Sequence, residues 1–171
     1  GLGSFLKMMG DDPDLYRHVV VTTLSLPYQI EVAPRESADL VVTFRNVHNW
    51  FMELFGGGKY SLLPFQAMYD ALKPGGTLGI VDHRWPDPAT EDPMASNGYV
   101  SKERTIAAAE AVGFRLVAES DLLANPKDTR DHEAGVWSLP PNFTLGDKDR
   151  DRYAAIGESD RFLLRFEKPA E

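Results

Sequence analysis

Apolar and polar positions along the chain switch between two periods, and the switches mark out its elements. Leu40-Val-Val-Thr-Phe44, led by Ala38-Asp39, is a short apolar run that breaks into the polar and aromatic stretch Arg45-Asn-Val-His-Asn-Trp50. Its length and β-branched content predict a buried strand. Leu62 to Leu72 carries Phe65, Met68 and Leu72 at helical spacing, with Pro64 tolerated in the first turn, which predicts an amphipathic helix. Pro74-Gly75-Gly76 stops that helix, and Thr77 to Val81 follows as a second buried strand ending in Asp82-His83-Arg84.

The remaining elements come from weaker signals. Ser4 to Gly10 reads as a helix end with a glycine stop, Asp11 to Asp14 as a turn, and Val19 to Leu24 as a β-branched strand. A linker with Pro27 and Pro34 leads to Leu40. Phe51 to Phe55 forms a short helical turn broken by Gly56-Gly57-Gly58. Ser101 caps a helix from Lys102 to Val112, Gly113 ends it, and Phe114 to Ala118 is a further strand. Arg161 to Phe166 closes the chain as a last strand. Strands alternating with helices predict a single α/β domain over residues 1–171, with a largely parallel sheet covered on both faces. Residues 121–158 form a long polar excursion, the expected cover or lid.

Composition narrows the partners. The net charge of −8 and the interleaving of acids with bases, as in Lys148-Asp-Arg-Asp-Arg152, argue against nucleic acid as a partner, which requires clustered Lys and Arg. No apolar run approaches the ~18 residues of a membrane span. The chain has no cysteine, which excludes disulfides, thiolate metal sites and thiol nucleophiles. Compartment stays open.

Two buried strands that deliver polar groups at their C-terminal ends are the means by which an open α/β sheet builds a ligand crevice. Phe44, Arg45 and Asn46 end the first such strand. Arg45 offers a rigid fork of donors and Asn46 both a donor and an acceptor. His48 and His83 follow neighbouring strands, where a neutral imidazole can take a proton from an acceptor hydroxyl or amine; a structural role is the more common outcome for such a histidine. Trp50 and Trp137 offer aromatic walls for a small-molecule pocket. Arg84 and the Asp131-His132 pair add polar groups beside it. His48, His83 and a carboxylate such as Asp82 or Asp131 could together meet a metal, but they lack the tight spacing of a metal motif, so none is assigned.

The order and spelling of Asp39 to Trp50, Leu72 to His83, and Asn125-Pro-Lys-Asp128 with Gly157-Glu-Ser-Asp-Arg-Phe162 resemble strands and loops of class I S-adenosylmethionine-dependent methyltransferases. They are similar in particular to a bacterial group of methyltransferases predicted from sequence. The resemblance covers Val19 to Lys168 and implies a Rossmann-like open, mostly parallel sheet. It also implies S-adenosylmethionine as cofactor and a small-molecule acceptor, and leaves the identity of that acceptor open. By family order Phe44, Arg45 and Asn46, with Thr23 and Leu24 in the preceding segment, are the cofactor contacts. The glycine-rich loop after the first family strand and the acid after the second have no counterpart here; Gly1-Leu-Gly3 has no strand before it.

The chain therefore matches the C-terminal portion of the fold, with its N-terminal strands absent. Three explanations compete: a fragment lacking roughly 100 residues, that is two βα units of about 30 residues or more plus a leader; a missing part that exists but is disordered; or a natural short form that no longer binds the cofactor alone. Cofactor binding is expected to be weak or lost in this chain. A homodimer covering the open strand edge is expected, or else direct pairing of Val19–Leu24 beside Leu40–Phe44. A non-catalytic scaffold for dimerisation or ligand binding is the alternative reading, and a metal-assisted hydrolase a third.

Overall fold

The computed structural model describes residues 2–170. Five strands are formed: β1 (Ala38–Phe44), β2 (Leu72–Trp85), β3 (Val100–Ser101), β4 (Arg115–Ser120) and β5 (Arg161–Glu167). The sheet order is β1-β2-β5-β4, with β3 beside the end of β2. β1 and β2 run parallel, Leu40 opposite Thr77 and Phe44 opposite Val81. β5 inserts antiparallel between β2 and β4, so β4 runs in the direction of β1 and β2. The result is an open, mostly parallel α/β sheet, as the alternation of strands and helices predicts.

The two main helices, α3 (Leu62–Ala71) and α4 (Lys102–Ala111), pack on each other and on one face of the sheet. Phe65 and Met68 of α3, Ala108 and Ala109 of α4, and Leu78, Ile80, Phe162, Leu164 and Phe166 of the strands share one buried core. The period-2 alternation of the strands sets this, since Leu78 and Ile80 stand on one side of β2 and Phe162, Leu164 and Phe166 on the same side of β5. Ser101 caps α4 by accepting the Arg104 N–H. Buried Lys168, just beyond β5, donates to the carbonyls of Tyr69 (3.0 Å) and Leu72 (2.8 Å). It thus closes the C-terminus of α3, where a cation is favoured.

Several expectations from sequence are corrected. Val19–Leu24 is not a strand and does not pair with β1: it is exposed, Val20 at 82%, and the nearby bridge joins Ser25 to Gln29. β-branched residues favour a strand only where a neighbour buries them, and this stretch has none among the described residues. The sheet is not covered on both faces. Leu40, Val42 and Phe44 alternate with the core-facing positions of β1 and stay 60%, 50% and 59% exposed. α1 (Leu2–Asp11) runs through Gly10 and buries none of its residues, and α2 (Pro13–Tyr16) follows where a turn is expected. Pro74-Gly75-Gly76 is not a break between elements but a bulge inside β2, where Gly75 takes φ +77°.

The one-sided core sets unequal costs. Ile80→Ala, in the fully buried layer, is expected to lower unfolding free energy by about 2–5 kcal/mol. Val42→Ala, on the open face, should cost roughly 0.5 kcal/mol or less. Urea denaturation of the two variants measures the difference; equal losses would mean that the face bearing Val42 is buried in solution.

Candidate functional site

β1 ends opposite Val81, whereas β2, expected to stop there, runs on to Trp85 with Asp82 and His83 inside the strand; the chain leaves β1 at a sharp angle. Arg45 still donates its N–H to the carbonyl of Val81 (2.8 Å). Its φ of +56°, however, lies in the left-handed region, which costs a non-glycine residue roughly 1–3 kcal/mol. This kink ends β1 and directs the chain into the 3-10 turn His48–Phe51.

That turn is tied to β2 by Asp82, whose side chain has no solvent exposure. The carboxylate accepts the His48 backbone N–H (3.0 Å), the His48 ring at Nδ1 (2.8 Å) and the His83 backbone N–H (2.7 Å). A carboxylate is acceptor-only, so His48 carries its proton on Nδ1 and keeps Nε2 as an acceptor. His83 stacks obliquely on His48, ring centroids 5.3 Å apart, and its Nδ1 meets Ser159 Oγ at 2.5 Å. Burial pushes the His83 pKa down to about 4 against the opposing pull of Asp82, and His48, Arg161 and Arg45 add to the lowering. His83 is therefore a neutral imidazole near pH 7.

The third wall comes from the excursion. Asp128 accepts Tyr99 Oη–H at 3.1 Å, His132 Nε2–H at 2.8 Å and the Asp160 N–H at 2.8 Å. Asp160 in turn accepts the Asn125 N–H and the Arg130 guanidinium. Burial, with the Asp128 charge second, raises the Tyr99 pKa, which keeps its hydroxyl a donor. Further on, Gly135 takes φ +56°, and a Cβ there would lie 2.2 Å from the Asn97 carbonyl oxygen. Only glycine fits this crossing, which seats Val136 and Trp137 over the histidines.

Together these parts enclose a cavity of about 340 Å³ lined by Phe44, Arg45, Asn46, His48, Asn49, His83, Val136, Trp137, Pro140, Pro141, Asn142, Glu158, Ser159 and Arg161. A second hollow of about 290 Å³ adjoins it, bounded by Leu24, Leu26, Trp50 and Phe55. The two share Asn46 and Asn49.

The structure brings together Phe44, Arg45, Asn46, His48, His83 and Trp137 in the main cavity, and Leu24 reaches the second hollow. Thr23 is exposed and lines neither. Trp50 is mainly a core residue, edge-on to Phe65 at 5.1 Å, and touches only the second hollow. Arg84 is committed to Asp121, Asp160 and the Arg161 carbonyl. Asp131 lies on the surface bonded to Thr129, and His132 is buried against Asp128 and Tyr153. Trp50, Arg84, Asp131 and His132 thus stand outside the main cavity, because their charges and rings are used to hold neighbouring segments. Asn49, Val136, Pro140, Pro141, Asn142, Glu158, Ser159 and Arg161 line the cavity without having been named for the site from sequence. The Arg45–Trp50 stretch holds Asn49, and the Gly157-Glu-Ser-Asp-Arg161 spelling holds Glu158, Ser159 and Arg161.

Donor atoms of His48, Asp82 and His83 lie within 4.8 Å of one another. Both Asp82 oxygens already accept N–H groups, and the charges of Arg45 and Arg161 reach His83. A cation would have to displace those donors and face two guanidiniums. The cluster fits a hydrogen-bonded relay better than a metal cage.

No protein-family model matches the sequence, and no curated protein does. Solved structures do. The chain is similar to a putative sarcosine dimethylglycine methyltransferase from Galdieria sulphuraria, with a TM-score of 0.57 and 15% identity over 96% of this chain and 64% of that one. A SAM dependent methyltransferase from Aquifex aeolicus matches with a TM-score of 0.53 and 11% identity, over 95% and 61%. The [4+2]-cyclase SpnF matches with a TM-score of 0.54 and 16% identity, over 95% and 63%.

The fold is that of the class I methyltransferases.

The chain spans between 61% and 64% of the length of these three structures. One of them is named a cyclase, so the shared fold does not by itself fix a reaction.

The depressed His83 pKa predicts an acid sensitivity. Between the ordinary value of 6.5 and about 4 the unfolded chain binds a proton that the folded chain refuses. Stability is thus complete above pH 6.5 and declines as pH falls toward 4. The loss should reach roughly 3 kcal/mol, at about 1.4 kcal/mol per pKa unit. Urea unfolding of the wild type and His83→Gln at pH 7 and pH 4.5 tests it: the wild type should lose more. Equal losses would show that His83 titrates normally.

Proposed function

We propose that the chain forms the acceptor-facing part of an S-adenosylmethionine-dependent methyltransferase for a small molecule. One observation carries this reading: two adjoining hollows meet at Asn46 and Asn49, at the C-terminal end of β1, where an open α/β sheet binds its ligands. The second hollow has apolar walls from Leu24, Leu26, Trp50 and Phe55 with two amides at its edge, a lining suited to the flat ring of adenosine. The main cavity then takes the acceptor, beside the neutral His83 and the His48–Asp82 pair.

Bound in the second hollow, S-adenosylmethionine supplies an electrophilic methyl group on a sulfonium. The chain's own residues do the rest. An acceptor oxygen or nitrogen that is methylated would give up a proton, and that proton needs a destination. His48 Nε2 is free to take it, and Asp82 on the opposite nitrogen steadies the resulting imidazolium. Trp137, Pro140 and Pro141 limit water, and the chain's remaining task is to hold the reactants in line.

Among the described residues no glycine-rich turn follows a strand. The backbone amides and acid that bind the methionine and ribose moieties in the family are therefore not supplied by these residues. Each charge-assisted hydrogen bond contributes about 1.5–3 kcal/mol, and every ~1.4 kcal/mol is tenfold in affinity. Lacking two such bonds, this chain should bind S-adenosylmethionine only near millimolar concentration or more weakly. Amide NMR is the test. Millimolar S-adenosylmethionine should shift Leu24, Asn46 and Asn49 and leave Asp128 and His132 unmoved. Silence at Asn46 and Asn49 would overturn the reading, and micromolar binding by calorimetry would show a cofactor site elsewhere.

A further inference from the structure

The rim of the main cavity presents a cation in a protein that is acidic overall. The whole chain carries −8, yet the cavity lining holds two guanidiniums, Arg45 and Arg161, against one carboxylate, Glu158. Glu158 is already paired with Arg161, while the exposed Arg45 guanidinium has no hydrogen bond or ion pair among the described residues. Arg161 also keeps a buried Nε without a partner. Asp82 adds a further negative charge behind His48, where three N–H donors hold it, so what the rim presents is the unpaired cation of Arg45 and not a net charge of the whole cavity.

We infer that the main cavity binds a small molecule through an oxyanion, a carboxylate or phosphate held by Arg45 and Arg161. A lone guanidinium at the mouth of a polar cavity is matched bidentately by such a group. The left-handed backbone at Arg45 ends β1, and the exposed Arg45 side chain lines the cavity. Asn142 on the opposite wall adds an amide donor, and Trp137 supplies an apolar surface for the body of the ligand. The acceptor class this names rests on the methyltransferase reading. The anion site itself rests only on the lining charges.

The test uses the 171-residue chain with glutarate, inorganic phosphate, the neutral glutaramide and 1,4-diaminobutane as probes. NMR of the Trp137 indole and the His83 ring reports binding in the cavity. Glutarate or phosphate should give saturable shifts at both positions, whereas glutaramide and the diamine should not. Arg45→Gln, at an exposed residue without partners, should weaken the anion at least tenfold with an otherwise unchanged amide spectrum, and Arg45→Lys should retain part of the affinity. An equal response to glutaramide or the diamine, or full anion affinity in Arg45→Gln, would overturn the proposal. So would an Arg45→Gln variant that loses only its response to S-adenosylmethionine, since Arg45 would then hold the cofactor. Anion shifts without any cofactor response would keep this site and remove the methyltransferase reading; cofactor shifts with no anion response would do the reverse.

Discussion

A carboxylate removed from water must be met by donors, and the way Asp82 meets this demand organises the site. Its three accepted N–H groups come from the turn after β1 and from the residue after itself on β2. Breaking such a buried arrangement leaves an uncompensated charge, which is strongly destabilising. The end of β1 is therefore held against β2 and His48 is held in one tautomer, while His83 stays neutral through its burial, against the pull of Asp82. The geometry of the cavity floor follows from this one residue.

Asp128 plays the matching part on the other side. It gathers Tyr99 from the loop before α4, His132 from the excursion and the backbone of Asp160 before β5. Asp160 then collects Arg130 and Asn125. A long polar segment with little regular structure is thereby fixed at several points through a satisfied network, and such networks rigidify what they connect. Val136 and Trp137 can form a wall because the excursion is fastened on both sides of them.

The contrast between global and local charge is the other organising fact. Acidic side chains are spread over the exterior, many in exposed pairs that contribute little to stability. The cavity rim presents the opposite sign at Arg45. Long-range attraction of an anion by the whole protein is thus unfavourable, and recognition must come from short-range, partly desolvated contacts inside the cavity.

Much of the fold was legible from period alone. Leu40–Phe44, Leu62–Leu72, Thr77–Val81, the Ser101 cap and Arg161–Phe166 each carry a local signal that tertiary packing reinforces, because their apolar faces point to the shared core. Arg45, Asn46 and His48 were likewise visible as polar residues following a short apolar strand, and His83 as a polar residue late in another, although β2 runs on past it. Val19–Leu24 shows the limit of such reasoning: its composition favours a strand, but only a neighbouring strand could make it one. Arg84, Asp131 and His132 show the same limit for charge, since a sequence cannot say which carboxylate an arginine or histidine will find. The antiparallel entry of β5 between β2 and β4, the roles of Asp82 and Asp128 as hydrogen-bond hubs, and the meeting of Arg45 with Arg161 join residues far apart along the chain. Local pattern determined the elements and the ends at which chemistry gathers. Only the tertiary structure decided which charges are spent on holding the fold and which are left facing the cavity, because that depends on the partners each side chain meets across the sheet.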